Sequence, residues 1–135
     1  MNRPLLITLF HYGTGIMDAL TGLCLIFAPA WTLGIMNVAP RPEAPHLVSY
    51  IGVFVFAVGC SHFLAGRFPT DSTSRERWKT IWKTTSIVRF SVAAFVLSRV
   101  LTGTFQTAWL AVTATDFTVA LIFIVLLNKK QLFPS

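Results

Sequence analysis

Apolar residues run in four long stretches along the chain, and polar residues collect between them. The first stretch covers residues 5–28 and is closed by Pro29. The second covers residues 47–66 and follows a breaker cluster of Pro40, Pro42 and Pro45. The third covers residues 82–101, and the fourth covers 107–127 and stops at Asn128-Lys129-Lys130. Each is close to the ~20 residues that carry an α-helix across a hydrocarbon layer. Lipid offers no partner to backbone N–H and C=O groups, so such segments satisfy them internally as helices. The pattern therefore predicts an all-α fold, a four-helix transmembrane bundle forming a single domain over residues 1–135.

Two connecting segments carry further information. Pro29 to Val38 (PAWTLGIMNV) is apolar but too short to cross, and predicts a short helix along the outer interface, between the first two spans. Thr73-Ser74-Arg75-Glu76 has the form of a capping box, which puts the start of the third helix near Ser74, two turns before its apolar part.

Composition strengthens the membrane reading. The chain is 54% hydrophobic and 12% charged, against about 25% charged residues in a soluble domain. A chain this short is mostly surface, and that much apolar surface in water aggregates. A soluble globular domain, a disordered chain and a disulfide scaffold are excluded. His11 and Asp18 interrupt the first stretch, so it reads as a mature helix rather than a secretory signal. Cys24 and Cys60 both lie inside apolar runs and lack metal-ligand spacing, so they read as small hydrophobes and no metal site is expected.

The net charge of +6 follows topology. With four spans, both termini and the middle loop share one side. That side holds Arg3, Arg67, Arg75, Arg77, Lys79, Lys83, Lys129 and Lys130, against Arg41 and Arg99 on the other. The bias places both termini in the cytoplasm. It also explains the basic character without nucleic acid as a partner. Trp31, Trp78, Trp82 and Trp109 fall at the expected interfaces.

Candidate chemistry lies with the polar residues inside the spans, since an ionisable group in hydrocarbon is costly. These are His11 and Asp18 in the first span, His62 in the second, Arg89 and Arg99 in the third, and Asp116 in the fourth. His11, Gly15, Asp18 and Gly22 follow helical spacing and line one stripe. Small and polar residues together mark a surface buried against other helices. Gly52, Gly59 and Gly66 recur at heptad spacing in the second span. Trp109, Thr113, Asp116, Ala120 and Phe123 share a stripe in the fourth.

Helical rise puts Asp18 and Asp116 at roughly 20 and 17 Å from the cytoplasmic end, and Arg99 at roughly 26 Å. Arg99 leans inward toward its helix N-terminus, to the depth of the aspartates. Arg89, at roughly 10 Å, either joins them or snorkels to the surface. Asp–Arg pairing in the interior relieves the burial of both charges. Such a core either fixes helix register, forms a small-ligand pocket, or conducts protons or ions. His11 and His62 sit at similar depths, roughly 9 and 6 Å. They are read as hydrogen-bonded core residues, as a quinone contact, or as axial ligands to a haem between their helices. No phosphate loop, dinucleotide fingerprint, nucleophile elbow or zinc-protease motif is present.

Several segments resemble the DoxX-like group of small four-helix bacterial membrane proteins. They are Asp18-Ala-Leu-Thr-Gly-Leu-Cys-Leu-Ile-Phe-Ala-Pro, His62-Phe-Leu-Ala-Gly-Arg67, Val88-Arg89-Phe90 and Thr115-Asp116-Phe117. The similarity is architectural and extends over most of the chain. It implies a membrane partner of oxidoreductases, including quinone-linked ones, and transfers no catalytic residues. The expected function is a non-catalytic subunit or small-ligand (lipid or quinone) binder of a membrane redox assembly. Its buried polar core would comprise Asp18, Arg89, Arg99, Asp116, His11 and His62. The alternatives are a homo-oligomeric proton- or ion-coupled transporter, and a haem-binding electron carrier. Expected partners are the bilayer and other membrane subunits or copies of the same chain.

Overall fold

A computed structural model describes residues 3–39, 45–66 and 68–129. Pro40, Arg41, Pro42, Arg67 and Lys130 lie outside the described residues. The described residues are helical or in turns, without strands. Four helical segments are long and apolar enough to cross a membrane: Pro4–Phe27, His46–Ala65, Ser72–Leu101 and Thr107–Leu127. The chain divides into two compact units, Met1–Thr70 and Asp71–Ser135.

The first unit is built on α1 (Arg3–Phe27), α2 (Pro29–Ile35) and α3 (Pro45–Ser61), with a 3₁₀ turn over His62–Ala65. Pro29 cannot extend α1, but as the first residue of α2 its missing N–H costs nothing. Asn37, in the left-handed region at φ 56°, ends α2. There the Val38 N–H donates to the Leu33 carbonyl (2.9 Å) and the Asn37 N–H to the Gly34 carbonyl (3.0 Å). Val38 and Leu33 are both buried, so this is a Schellman stop with its usual apolar clasp.

Helices α1 and α3 approach closely because glycines face each other. A Cβ at Gly15 would stand 2.6 Å from the His62 Cβ, and one at Gly52 would stand 2.8 Å from the Gly22 carbonyl oxygen. A Cβ at Gly22 would meet the Phe56 backbone, and one at Gly59 the Ala19 backbone. The Ser49 hydroxyl adds an interhelical hydrogen bond to the Ile26 carbonyl (3.1 Å). Gly66 departs from the heptad expectation. It lies beyond the helix with φ 68° and open space around it, so it terminates the 3₁₀ turn rather than packing helices.

The second unit pairs α4 (Ser72–Leu101) with α5 (Leu110–Leu127), which is preceded by a 3₁₀ turn over Thr107–Trp109. Helix α4 starts two residues before the expected Ser74. Its cap is Asp71, which accepts from the Ser74 N–H (2.8 Å) and the Ser74 hydroxyl (2.6 Å). The Thr73–Glu76 box does not form; Glu76 instead accepts from Lys79 (2.8 Å). Hydrogen bonding holds the exposed Asp71 carboxyl below its usual pKa, first through the Ser74 hydroxyl and then through its N–H. Gly103, at φ 71°, stops α4 with the Thr104 N–H on the Arg99 carbonyl (2.9 Å).

Side chains order α4 against α5. Trp82 stacks on Phe123 (5.2 Å between centroids), and Phe90 meets Phe117 edge-on (5.5 Å). The partners run in opposite sequence order, so the two helices are antiparallel. Trp78 and Trp82 are fully buried, unlike interfacial tryptophans, and pack on each other edge-on. Trp31 is exposed, as an interfacial residue would be.

Candidate functional site

Polar residues gather in one cluster within each unit. In the first, His11 on α1 and His62 at the start of the 3₁₀ turn are both fully buried. Helix α3 runs into this turn with carbonyls that lack helical partners. Two consecutive side chains of α1 supply the donors. His11 Nε2 donates to the His62 carbonyl (2.9 Å), and the Tyr12 hydroxyl donates to the Gly66 carbonyl.

The rings of His11 and His62 also touch, with Nδ1 to Nδ1 at 3.1 Å. A carbonyl only accepts, so His11 carries its proton on Nε2. In the neutral pair its Nδ1 is then an acceptor, and His62 Nδ1 is the donor. The contact thus fixes both tautomers.

A haem held by both residues does not fit. Two metal–imidazole bonds of about 2 Å each would set the ligating nitrogens roughly 4 Å apart, with a macrocycle between the rings. Here the rings are in direct contact, with centroids 4.7 Å apart. Among the described residues no group of three or more His, Cys, Asp or Glu side chains is placed to hold a metal ion.

The α1 stripe is buried along its length: His11, Gly15, Asp18 and Gly22. Asp18 is 8% exposed. Gly15 and Gly22 give the close approach to α3, and His11 fixes where α3 ends.

In the second unit, Arg89 on α4 and Asp116 on α5 form an ion pair, with Arg89 Nη1 donating to Asp116 Oδ1. Their side chains are 5% and 16% exposed. Phe90 and Phe117, the next residues along each helix, make their own edge-on contact beside the pair. Little water reaches the two charges, so their attraction is stronger than at a surface. Each charge also offsets part of the cost of burying the other.

Arg99 differs from the expectation of a buried partner. It is exposed in the last turn of α4, with its guanidinium over the Phe95 ring (5.3 Å). The inward lean along the helix is as expected, but an aromatic face one turn below receives the cation.

The structure thus joins His11 to His62 and Arg89 to Asp116, and it buries Asp18 on the α1 stripe. Sequence reading missed Ser86. It is 2% exposed, and its Oγ has no hydrogen-bond partner among the described residues. The signal was its spacing, three residues before Arg89 and so on the same helical face. Comparison of the chain with protein-family models, curated proteins and solved structures finds no match.

Proposed function

We propose that the chain is a multi-pass integral protein of a bacterial-type inner membrane with both termini in the cytoplasm. Within it, the chain acts as a non-catalytic subunit or small-ligand binder of a membrane redox assembly. The observation that carries the membrane reading is an inverted distribution of polarity. Leu9, Leu20, Leu64, Ile87, Leu101 and Phe117 are exposed, while His11, His62, Asp18 and Arg89 are buried. Only 17% of the His46–Ala65 and Thr107–Leu127 windows is buried. Lipid tails solvate such a surface, and water does not.

The ion pair favours a binding or structural role over cation transport. A transporting aspartate needs its carboxylate available to the cation, whereas Asp116 is already neutralised by Arg89. The redox setting, including lipid or quinone as ligand, follows from the DoxX-like resemblance. Gentle detergent extraction followed by mass spectrometry of the intact particle tests the proposal. The expected result is a detergent-dependent protein carrying other subunits or a bound small molecule. A homo-oligomer with ion flux in liposomes that Asp116→Asn abolishes would replace this reading with the transporter.

A further inference from the structure

Hydroxyls inside an apolar helix usually close on their own backbone. Thr8, Thr14, Thr32, Thr85, Ser91 and Thr115 all do so, each donating to the carbonyl four residues earlier at 2.6–2.9 Å. Two hydroxyls of the second unit do not. Ser86 Oγ and Thr113 Oγ1 are buried with no hydrogen-bond partner among the described residues. A rotation about χ1 would give either one a backbone acceptor, since a helical threonine divides between two such rotamers. Both are turned elsewhere, at the cost of a lost hydrogen bond.

Their positions are related. Ser86 lies three residues before Arg89, and Thr113 three residues before Asp116. Each hydroxyl therefore shares the face of its helix that carries the ion pair. Because α4 and α5 are antiparallel, the two flank the pair on opposite sides, each about 4.5 Å along the axis. The result is a polar seam of hydroxyl, ion pair and hydroxyl.

We infer that Ser86 and Thr113, with the Arg89–Asp116 pair between them, form a binding site for uncharged oxygen-bearing groups, one at each hydroxyl. The pair sums to zero charge, so the seam offers an ion no net attraction to offset its desolvation. A hydroxyl both donates and accepts, and an oxygen of water, an alcohol or a carbonyl satisfies it where an apolar group cannot. Two sources share this chemistry: water buried in the seam, and the oxygen-bearing head of an amphiphile from the bilayer. Buried waters occupy such places, beside otherwise unmet polar groups. The inference rests on the ligand-binding, integral-membrane reading above and names the class of ligand.

The test uses the full chain in mild detergent, comparing the Ser86→Ala/Thr113→Val double variant with Ser91→Ala. Ser91 is exposed and back-bonded, so its substitution reports the helix propensity change together with a lost surface back-bond. An occupied site loses its ligand in the double variant, and the unfolding midpoint falls by about 2–8 °C relative to the control. An empty site loses two unmet polar groups instead, and an unchanged or raised midpoint overturns the inference. Such a result in a chain that still needs detergent to leave the membrane removes the site and leaves the membrane reading intact.

Two further measurements separate the sources. X-ray radiolysis in ¹⁸O-labelled water oxidises the half-buried Phe90, next to Arg89, if water fills the seam. Native mass spectrometry detects an adduct absent from the double variant if an amphiphile does. Neither label nor adduct in the parent protein also overturns the inference.

Discussion

Removing one member of the Arg89–Asp116 pair leaves the other charged, buried and alone. With side chains 5% and 16% exposed, neither has a ready route to water. Breaking a buried pair from one side costs about 3–5 kcal/mol. An independent scale gives a similar magnitude, since a lone charged residue at the centre of a spanning helix costs about 2.5–3.5 kcal/mol. Asp116→Leu and Arg89→Met should therefore each lower the folding equilibrium constant by roughly two to four orders of magnitude. The double variant removes both charges and keeps much of the volume. It should recover most of the loss or exceed the parent, because apolar replacements of a buried pair are often neutral or stabilising. The assay is reversible unfolding in mixed micelles for the four proteins of the cycle. A coupling of several kcal/mol is expected. Single effects below about 1 kcal/mol, or effects that simply add in the double variant, would show that the two charges do not depend on each other.

Other consequences follow from the same structure. Gly22→Ala and Gly59→Ala should destabilise by about 1–3 kcal/mol through overpacking of α1 on α3, whereas Gly13→Ala, with open space around it, should stabilise by up to about 1 kcal/mol through helix propensity. Equal effects at all three positions in denaturant unfolding would refute the packing. The Asp71 cap should depend on pH. Its folded pKa lies below the ordinary 3.8, so its stabilisation of α4 is present above 3.8 and is lost as pH falls through the lower folded value. Protection of the Ser74 amide from hydrogen exchange reports this, and protection independent of Asp71 ionisation would refute it. Nitrogen NMR at neutral pH should find His11 protonated on Nε2 and His62 on Nδ1. The opposite tautomers would contradict the ring contact and the cap on α3.

Much of the fold was legible because apolar runs long enough to cross a membrane satisfy their backbone groups internally as helices. The expected spans agree with the helices, and Pro29 divides α1 from α2 as its missing donor requires. The α1 stripe was also legible, since spacing alone places His11, Gly15, Asp18 and Gly22 on one face. Local competition was less visible. Asp71 and Thr73 are both competent caps, and Asp71 takes the role while Glu76 engages Lys79. Gly66 fits the heptad series, yet the helix has already tightened into a 3₁₀ turn at His62.

The candidate sites divide in the same way. Depth put His11 and His62 at one level, but not that the rings meet and cap a helix end. Arg89 and Asp116 pair as opposite charges in an apolar interior should. Arg99 follows its rotamer instead, onto Phe95 within its own helix. Ser86 carries no charge and passes for an ordinary helix residue until its hydroxyl is seen turned from the backbone.

The most direct measurement is the distance from the Arg89 guanidinium nitrogens to the Asp116 carboxyl carbon by solid-state NMR in lipid bilayers. A hydrogen-bonded pair gives strong nitrogen–carbon dephasing and a deprotonated carboxylate shift. No dephasing, with Asp116 protonated and facing lipid tails, would contradict a membrane protein organised around a buried, neutralised pair.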